Sequence, residues 1–166
     1  KEKEFVKDYQ QQFENNKVQK HYYAILRGYS SPKGIIDTPT KNAETGMYKK
    51  ALTEYETLET IELDIPVHPY DKSRYSLVKF TPKTGRMHQL RIHANKISHP
   101  IVGDYQYGDR FHNRMFENEF NWSNMFLHAS ELTIKQSNSR DSLILKSDFP
   151  ADWNKLFENF NWQKPK

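Results

Sequence analysis

Cysteine is absent from the 166 residues. That absence excludes a disulfide scaffold, a thiolate zinc site and a cysteine nucleophile. No long apolar run occurs, so the sequence offers neither a membrane span nor the hydrophobic stretch of a signal peptide, and a cytoplasmic protein is expected. The Gly-x-Ser-x-Gly elbow, the Gly-x-x-x-x-Gly-Lys phosphate loop and the Gly-x-Gly-x-x-Gly fingerprint are all missing. Nucleotide-triphosphate and dinucleotide chemistry are therefore not expected, whereas a Ser/His/Asp triad built from distant residues stays open. His88 and His93 stand five residues apart, not the four that would put two metal ligands on one helical face, and no Glu follows His88. No metal site is expected.

What is present is a polar chain with a mean hydropathy of −0.96 that is nonetheless 14% aromatic. Only 36% of the residues are hydrophobic, so most Phe, Tyr and Trp side chains have to build the core. The net charge of +4 is unevenly spread. Residues 72–114 hold nine basic residues against only Asp104 and Asp109, an excess of seven, which leaves the rest of the chain at −3. Such a block suits a polyanion, most simply a phosphate backbone; its ordinary alternative is a solvated face.

The apolar spacing around Tyr9 and Phe13 predicts an amphipathic helix ending near Asn15-Asn16, with no cap and no Met at its start. That opening suggests a piece of a longer protein. Lys20 to Gly28 reads as a strand, with Lys20, Tyr22, Ala24 and Leu26 on one face and His21, Tyr23, Ile25 and Arg27 on the other. Residues 29–53 read as a long connection. Residues 54–63 alternate, with Tyr55, Ile61 and Leu63 opposite Glu54, Glu56 and Glu62; Arg74 to Phe80 forms an antiparallel partner. Met87 to Ile97 reads as a helix with a Met87, Leu90, Ala94 and Ile97 stripe. Arg91 lies at the edge of that stripe, where a partly desolvated guanidinium needs an anion. Strands at 126–135 and 142–146 and a helix at 152–160 complete an α+β chain around a mostly antiparallel mixed sheet with flanking helices.

One block is strongly patterned: Thr84-Gly85-Arg86-Met87-His88-Gln89-Leu90-Arg91-Ile92-His93, then His99-Pro100-Ile101-Val102-Gly103-Asp104, then Tyr107-Gly108-Asp109. Together with Lys20-x-Tyr22-x-Ala24 and Leu127-His128-Ala129-x-x-Leu132, it resembles the RluA-type pseudouridine synthases, with four motifs in the family's order along essentially the whole chain. Ser73-Arg74-Tyr75, Pro82-Lys83-Thr84 and the run from Gly108 to Arg114 look like the tRNA pseudouridine synthase C branch. Met87 departs from the Thr or Ser that many relatives carry.

The resemblance implies a pseudouridine synthase fold and a cofactor-free isomerisation. The glycosidic C–N bond of a flipped-out uridine breaks, the uracil turns, and a C–C bond forms. It implies that Tyr22 covers the base and moves a proton, that Arg91 is the cation beside the nucleophile, and that Leu127 walls the uracil. Arg86, His88 and Gln89 then belong to the substrate pocket, and Arg74, Lys83, Lys96, Arg110 and Arg114 to the RNA backbone contacts. Asp104 and Gly103 are expected to shape a turn. The family's nucleophilic Asp sits in a His-Arg-Leu-Asp-Arg motif that none of the 166 residues forms. The expectation is one catalytic-domain fragment, residues 1–166, starting downstream of that motif and inactive alone. Its partner would be RNA: tRNA near the acceptor/T-stem junction, with large-subunit ribosomal RNA or a purely RNA-binding module as alternatives.

Overall fold

The computed structural model describes residues 2–15, 17–135 and 141–166. Lys1 and Asn16, the ends of the expected first helix, lie outside them. In chain order the elements are α1 (Glu2–Glu14), β1 (Gln19–Arg27), β2 (Lys33–Asp37), β3 (Thr40–Lys41), β4 (Tyr48–Lys49), β5 (Leu52–Leu63), β6 (Ser73–Pro82), α2 (Gln89–Lys96), α3 (Arg110–Phe120), β7 (Leu127–Lys135), β8 (Ser142–Lys146) and α4 (Ala151–Asn159). The α+β architecture is as expected from the alternating patterns. Among the described residues every strand pairing is antiparallel, and the six-stranded sheet runs β2-β5-β6-β1-β7-β8.

The two faces of β1 bury into two different cores, because successive side chains of a strand point to opposite sides. Tyr23 and Ile25 join Tyr75 and Leu77, Met115 and Phe116 of α3, and Trp153, Leu156 and Phe157 of α4. Ala24 and Leu26, with Tyr22 packed alongside, join Val78, Phe80, Ile36 and Ile101 and the Leu90 and Ala94 face of α2. Aromatics dominate the first core: the Phe116 ring meets Tyr75, Phe120, Trp122, Phe126 and Phe160, mostly edge to face. Truncating a ring of this kind costs about 3–5 kcal/mol.

Three expectations are corrected. The connection at 29–53 is not a plain loop. Its β2 pairs with β5 as an edge strand, and β3 pairs with β4 in a small ribbon. Met87 is 59% exposed and outside α2, so the stripe consists of Leu90, Ala94 and the half-buried Ile97. Residues 110–114, read as the end of the basic block, open helix α3. Its N-cap is Asp109, whose carboxylate accepts the Phe111 and His112 amides. His112, Met115 and Phe116 give the i, i+3, i+4 buried face. In α1 Gln12 is buried and ties the helix to β7 by donating to the Lys135 carbonyl, while Phe13 is exposed. No helix of the described residues is long and apolar enough to cross a membrane.

Candidate active site

At one end of the sheet, where β1 starts and β6 ends, a cleft of about 300 Å³ opens between the strands and α2. Tyr22 and Leu127 stand in it because both project from the α2 side of neighbouring strands: β1 pairs with β7, with Tyr22 opposite Ala129 and Ala24 opposite Leu127. The cleft thus gathers Tyr22, Leu127, Arg86, His88, Gln89 and Arg91, residues scattered over 105 positions of sequence and all expected at the pocket. Lys20, Pro82, Leu90 and Met125 also face it. Pro82 and Leu90 are buried, so the floor is apolar and the rim is cationic.

Arg91, in the first turn of α2, has its anion within the chain. Its Nε donates to Asp104 Oδ2 at 2.7 Å and its Nη2 to Oδ1 at 2.8 Å, a bidentate fork. Asp104 is 1% exposed and accepts two further bonds, from the amides of Gln106 and Tyr107. Burial pushes its carboxyl up, but the Arg91 fork and the two amides outweigh that and hold it below the usual carboxylate range. The same fork raises the Arg91 guanidinium. A carboxylate so fully engaged cannot attack a substrate. Asn113 of α3 completes the turn, donating to the Asp104 carbonyl and accepting the Gly103 amide. Gly103 has φ +80°, and a Cβ there would overlap the Asn124 carbonyl, so only glycine makes this turn.

Tyr107 ties the rim together. The Arg91 guanidinium lies over its ring, 4.9 Å from the centroid, and its hydroxyl is 3.2 Å from His88 Nδ1. His88 caps α2 in the left-handed region, φ 54°, without a side-chain cap bond. Tyr107 stood in the sequence only as part of a Tyr-Gly pair, and no spacing linked it to Arg91.

Gln89 does not offer its amide to the cleft. It is buried; its Oε1 accepts from Thr84 Oγ1 and the Arg86 amide, and its Nε2 donates to the Leu52 carbonyl and Thr53 Oγ1. His93 continues the chain. Its Nε2 is 2.8 Å from the Thr38 carbonyl and so donates to it, leaving Nδ1 to accept from the Thr53 hydroxyl at 2.9 Å. Burial pushes the His93 imidazole below its ordinary value, so the ring stays neutral. Gln89 therefore shapes the Thr84-Gly85-Arg86 loop, and Arg86 is further held by its Nε on the Lys50 carbonyl.

Burial raises the Tyr22 phenol, which stays protonated at neutral pH. Its ring lines the cleft, and its hydroxyl keeps a proton. Among the described residues no group of three His, Asp or Glu side chains gathers to hold a metal.

The expected backbone contacts divide. Arg74 pairs with Glu62 at 2.7 Å, its direct cross-strand partner, and Lys83, just past the end of β6, reaches Glu54 of β5 at 2.7 Å. Arg110 lies over the Phe111 ring, while Lys96 and Arg114 are exposed. Arg74 sits six residues before Phe80, the cross-strand partner of Tyr22, hence about 20 Å along the strand from the cleft. The acids of β5 thus offset much of the local positive charge.

A family model described as RNA pseudouridylate synthase matches residues 1–96. The tRNA pseudouridine synthase C of Haemophilus influenzae is 36% identical over 163 residues, spanning 92% of this chain and 68% of the relative. That of Vibrio parahaemolyticus is 35% identical over 162 residues, spanning 92% and 66%. Among solved structures, human RNA pseudouridylate synthase domain containing 1 superposes with a TM-score of 0.67 at 27% identity, over 87% of this chain and 60% of its own. Human RNA pseudouridylate synthase domain containing 4 shares the fold, with a TM-score of 0.71 at 21% identity over 95% of this chain and 67% of its own. The chain spans about two thirds of the length of these relatives.

Proposed function

Because the chain belongs to the RNA pseudouridylate synthase family, we propose that its cleft receives a uridine flipped out of an RNA, most specifically a tRNA, and holds it while uridine becomes pseudouridine. The observation that carries this is the convergence of Tyr22, Leu127 and Arg91 on one cleft beside an apolar floor. The tRNA preference draws on the relatives, which are tRNA pseudouridine synthases. The working place is then the cytoplasm, where tRNA is modified.

In this reading the Tyr22 ring covers the base and Leu127 walls the uracil, so that unstacking is offset by new apolar contact. In the isomerisation the C1′–N1 bond breaks, the uracil rotates, C5 bonds to C1′, C5 loses its proton and N1 takes one up. No electrons enter or leave, so no redox cofactor is called for. Arg91 sets the field at the cleft, fixed in place by Asp104. The attacking carboxylate is not Asp104, which is buried and spent. No Asp of the 166 residues stands in a His-Arg-Leu-Asp-Arg motif. We therefore take these residues to bind RNA and to turn over only when joined to that motif.

The test is pseudouridine formation in an unmodified tRNA transcript. It is measured with this chain alone and with the chain joined to a segment carrying the His-Arg-Leu-Asp-Arg motif. Turnover only in the joined protein is the expected result. Equal turnover by both places the nucleophile among the 166 residues. RNA binding without turnover by either marks a binding module, and turnover on a ribosomal RNA fragment alone moves the substrate from tRNA to rRNA.

A further inference from the structure

Three cations line the cleft, and two of them are engaged. Arg91 is forked onto Asp104 and Arg86 donates to the Lys50 carbonyl. The third is Lys20, two residues before Tyr22 on the same face of β1. Among the described residues no carboxylate or hydrogen-bond acceptor meets its ammonium. No Asp or Glu lines the cleft. The side chain is half-buried, and burial lowers the proton affinity of the ammonium, the condition of a cation waiting for an anion.

The opposing loop leaves room for that ammonium. A Cβ on Gly85 would stand 3.0 Å from Lys20 Nζ. A side chain there would press on the head group, which could swing aside as the end of a flexible chain; with glycine the ammonium rests against bare backbone. Gly85 is exposed, so the ammonium is open to a ligand arriving from solvent. Its neighbours Thr84 and Arg86 are clamped by Gln89, which keeps the seat in shape.

We propose that Lys20, set against the Gly85 backbone, is the seat for a phosphate of the bound RNA, the one attached to the nucleotide whose base enters the cleft. This rests on the reading of the cleft as a uridine pocket. An ammonium is a compact point charge, suited to a phosphate oxygen that stays at the surface while the base goes inward. Arg91 lies deeper and is already neutralised. Lys20 is then a substrate-binding residue that fixes how far the nucleotide is drawn in.

The experiment measures binding of a short oligouridylate by this chain. The comparison covers the parent, Lys20→Met, Lys20→Gln and Lys20→Arg, each checked for cooperative thermal unfolding. Lys20→Met and Lys20→Gln are expected to bind about tenfold more weakly at low salt. Their slope of log affinity against log salt should be shallower by about 0.7, one phosphate's worth on a single strand. Lys20→Arg should keep most of the affinity. Scanning a single neutral methylphosphonate along the RNA should find one position that weakens the parent and leaves Lys20→Met unchanged. Parent-like affinity and slope in both neutral variants overturns the phosphate seat while leaving the uridine pocket intact. So does a loss of turnover in the motif-joined protein with RNA binding unchanged, which assigns Lys20 to a protein carboxylate. Failure of the parent to bind RNA at all overturns the pocket reading itself, and the seat with it.

Discussion

Arg91 and Asp104, thirteen residues apart, form a two-pronged pair at 2.7 and 2.8 Å that joins the first turn of α2 to the turn preceding α3. The carboxylate is almost wholly enclosed and the guanidinium mostly so. The cation of the cleft is therefore part of the scaffold. Substitutions at Arg91 act on stability as well as on chemistry.

Removing one partner leaves the other charge enclosed and unpaired. Arg91→Ala is expected to lower stability by about 3 kcal/mol, read as a lower urea midpoint. Asp104→Asn should cost less, since its side chain can still accept the Gln106 and Tyr107 amides. Activity comparisons at Arg91 are meaningful below the melting point of the variant. An unchanged urea midpoint for Arg91→Ala would show that the pair adds nothing to the fold.

Gln89→Ala should free Thr84 and Arg86 from their shared acceptor and leave Thr53 short of a donor. A loss of about 1–3 kcal/mol is expected, with faster hydrogen exchange at the Arg86 amide. Gln89→Glu keeps the acceptor but loses both donors, and should be destabilised as well. Parent-like exchange at Arg86 in Gln89→Ala would mean that the loop holds itself.

Three imidazoles give the protein an acid-sensitive range. His21, His93 and His112 all have their folded values pushed below the ordinary one, chiefly by burial. A lowered value means that the unfolded chain binds protons first. Their contribution to stability is thus complete above about pH 6.5, the unfolded value, and declines as pH falls toward the folded values. Urea midpoints at pH 7.5, 6.5 and 5.5 should fall in that order. The fall should be smaller in His93→Gln, which removes one of the three groups. A midpoint flat across this range would rule out buried neutral imidazoles.

Asp109 is doubly used, as the N-cap of α3 and as the partner of Arg27 at 2.7 Å. Asp109→Ala should cost about 1–2 kcal/mol, mainly through the lost cap. Asp109→Asn, which can still cap, should recover most of it. Equal losses in the two variants would assign the effect to the ion pair.

Much of the fold was legible in local pattern. The period of two along Lys20 to Arg27 separated the residues of the two cores, and the Leu90-Ala94 spacing marked the buried side of α2. Helix α3 also carried its signal, an Asp before a His112, Met115, Phe116 face, overlaid on the basic residues Arg110 and Arg114. β2 was not legible, because its stability comes from pairing with β5 and from the burial of Ile36.

The candidate site divides in the same way. The motifs resembling the pseudouridine synthases implied that Tyr22, Arg91 and Leu127 belong together, and the place of Arg91 at the edge of an apolar stripe implied that it requires an anion. Only the tertiary structure decided which anion it has, that the Gln89 amide serves the loop, that Glu54 and Glu62 answer Lys83 and Arg74, and that among the described residues Lys20 stands unanswered beside Gly85. The physical reason is that charge and hydrogen-bonding capacity are written in each side chain, whereas satisfaction of that capacity depends on what chain folding brings within about 3 Å.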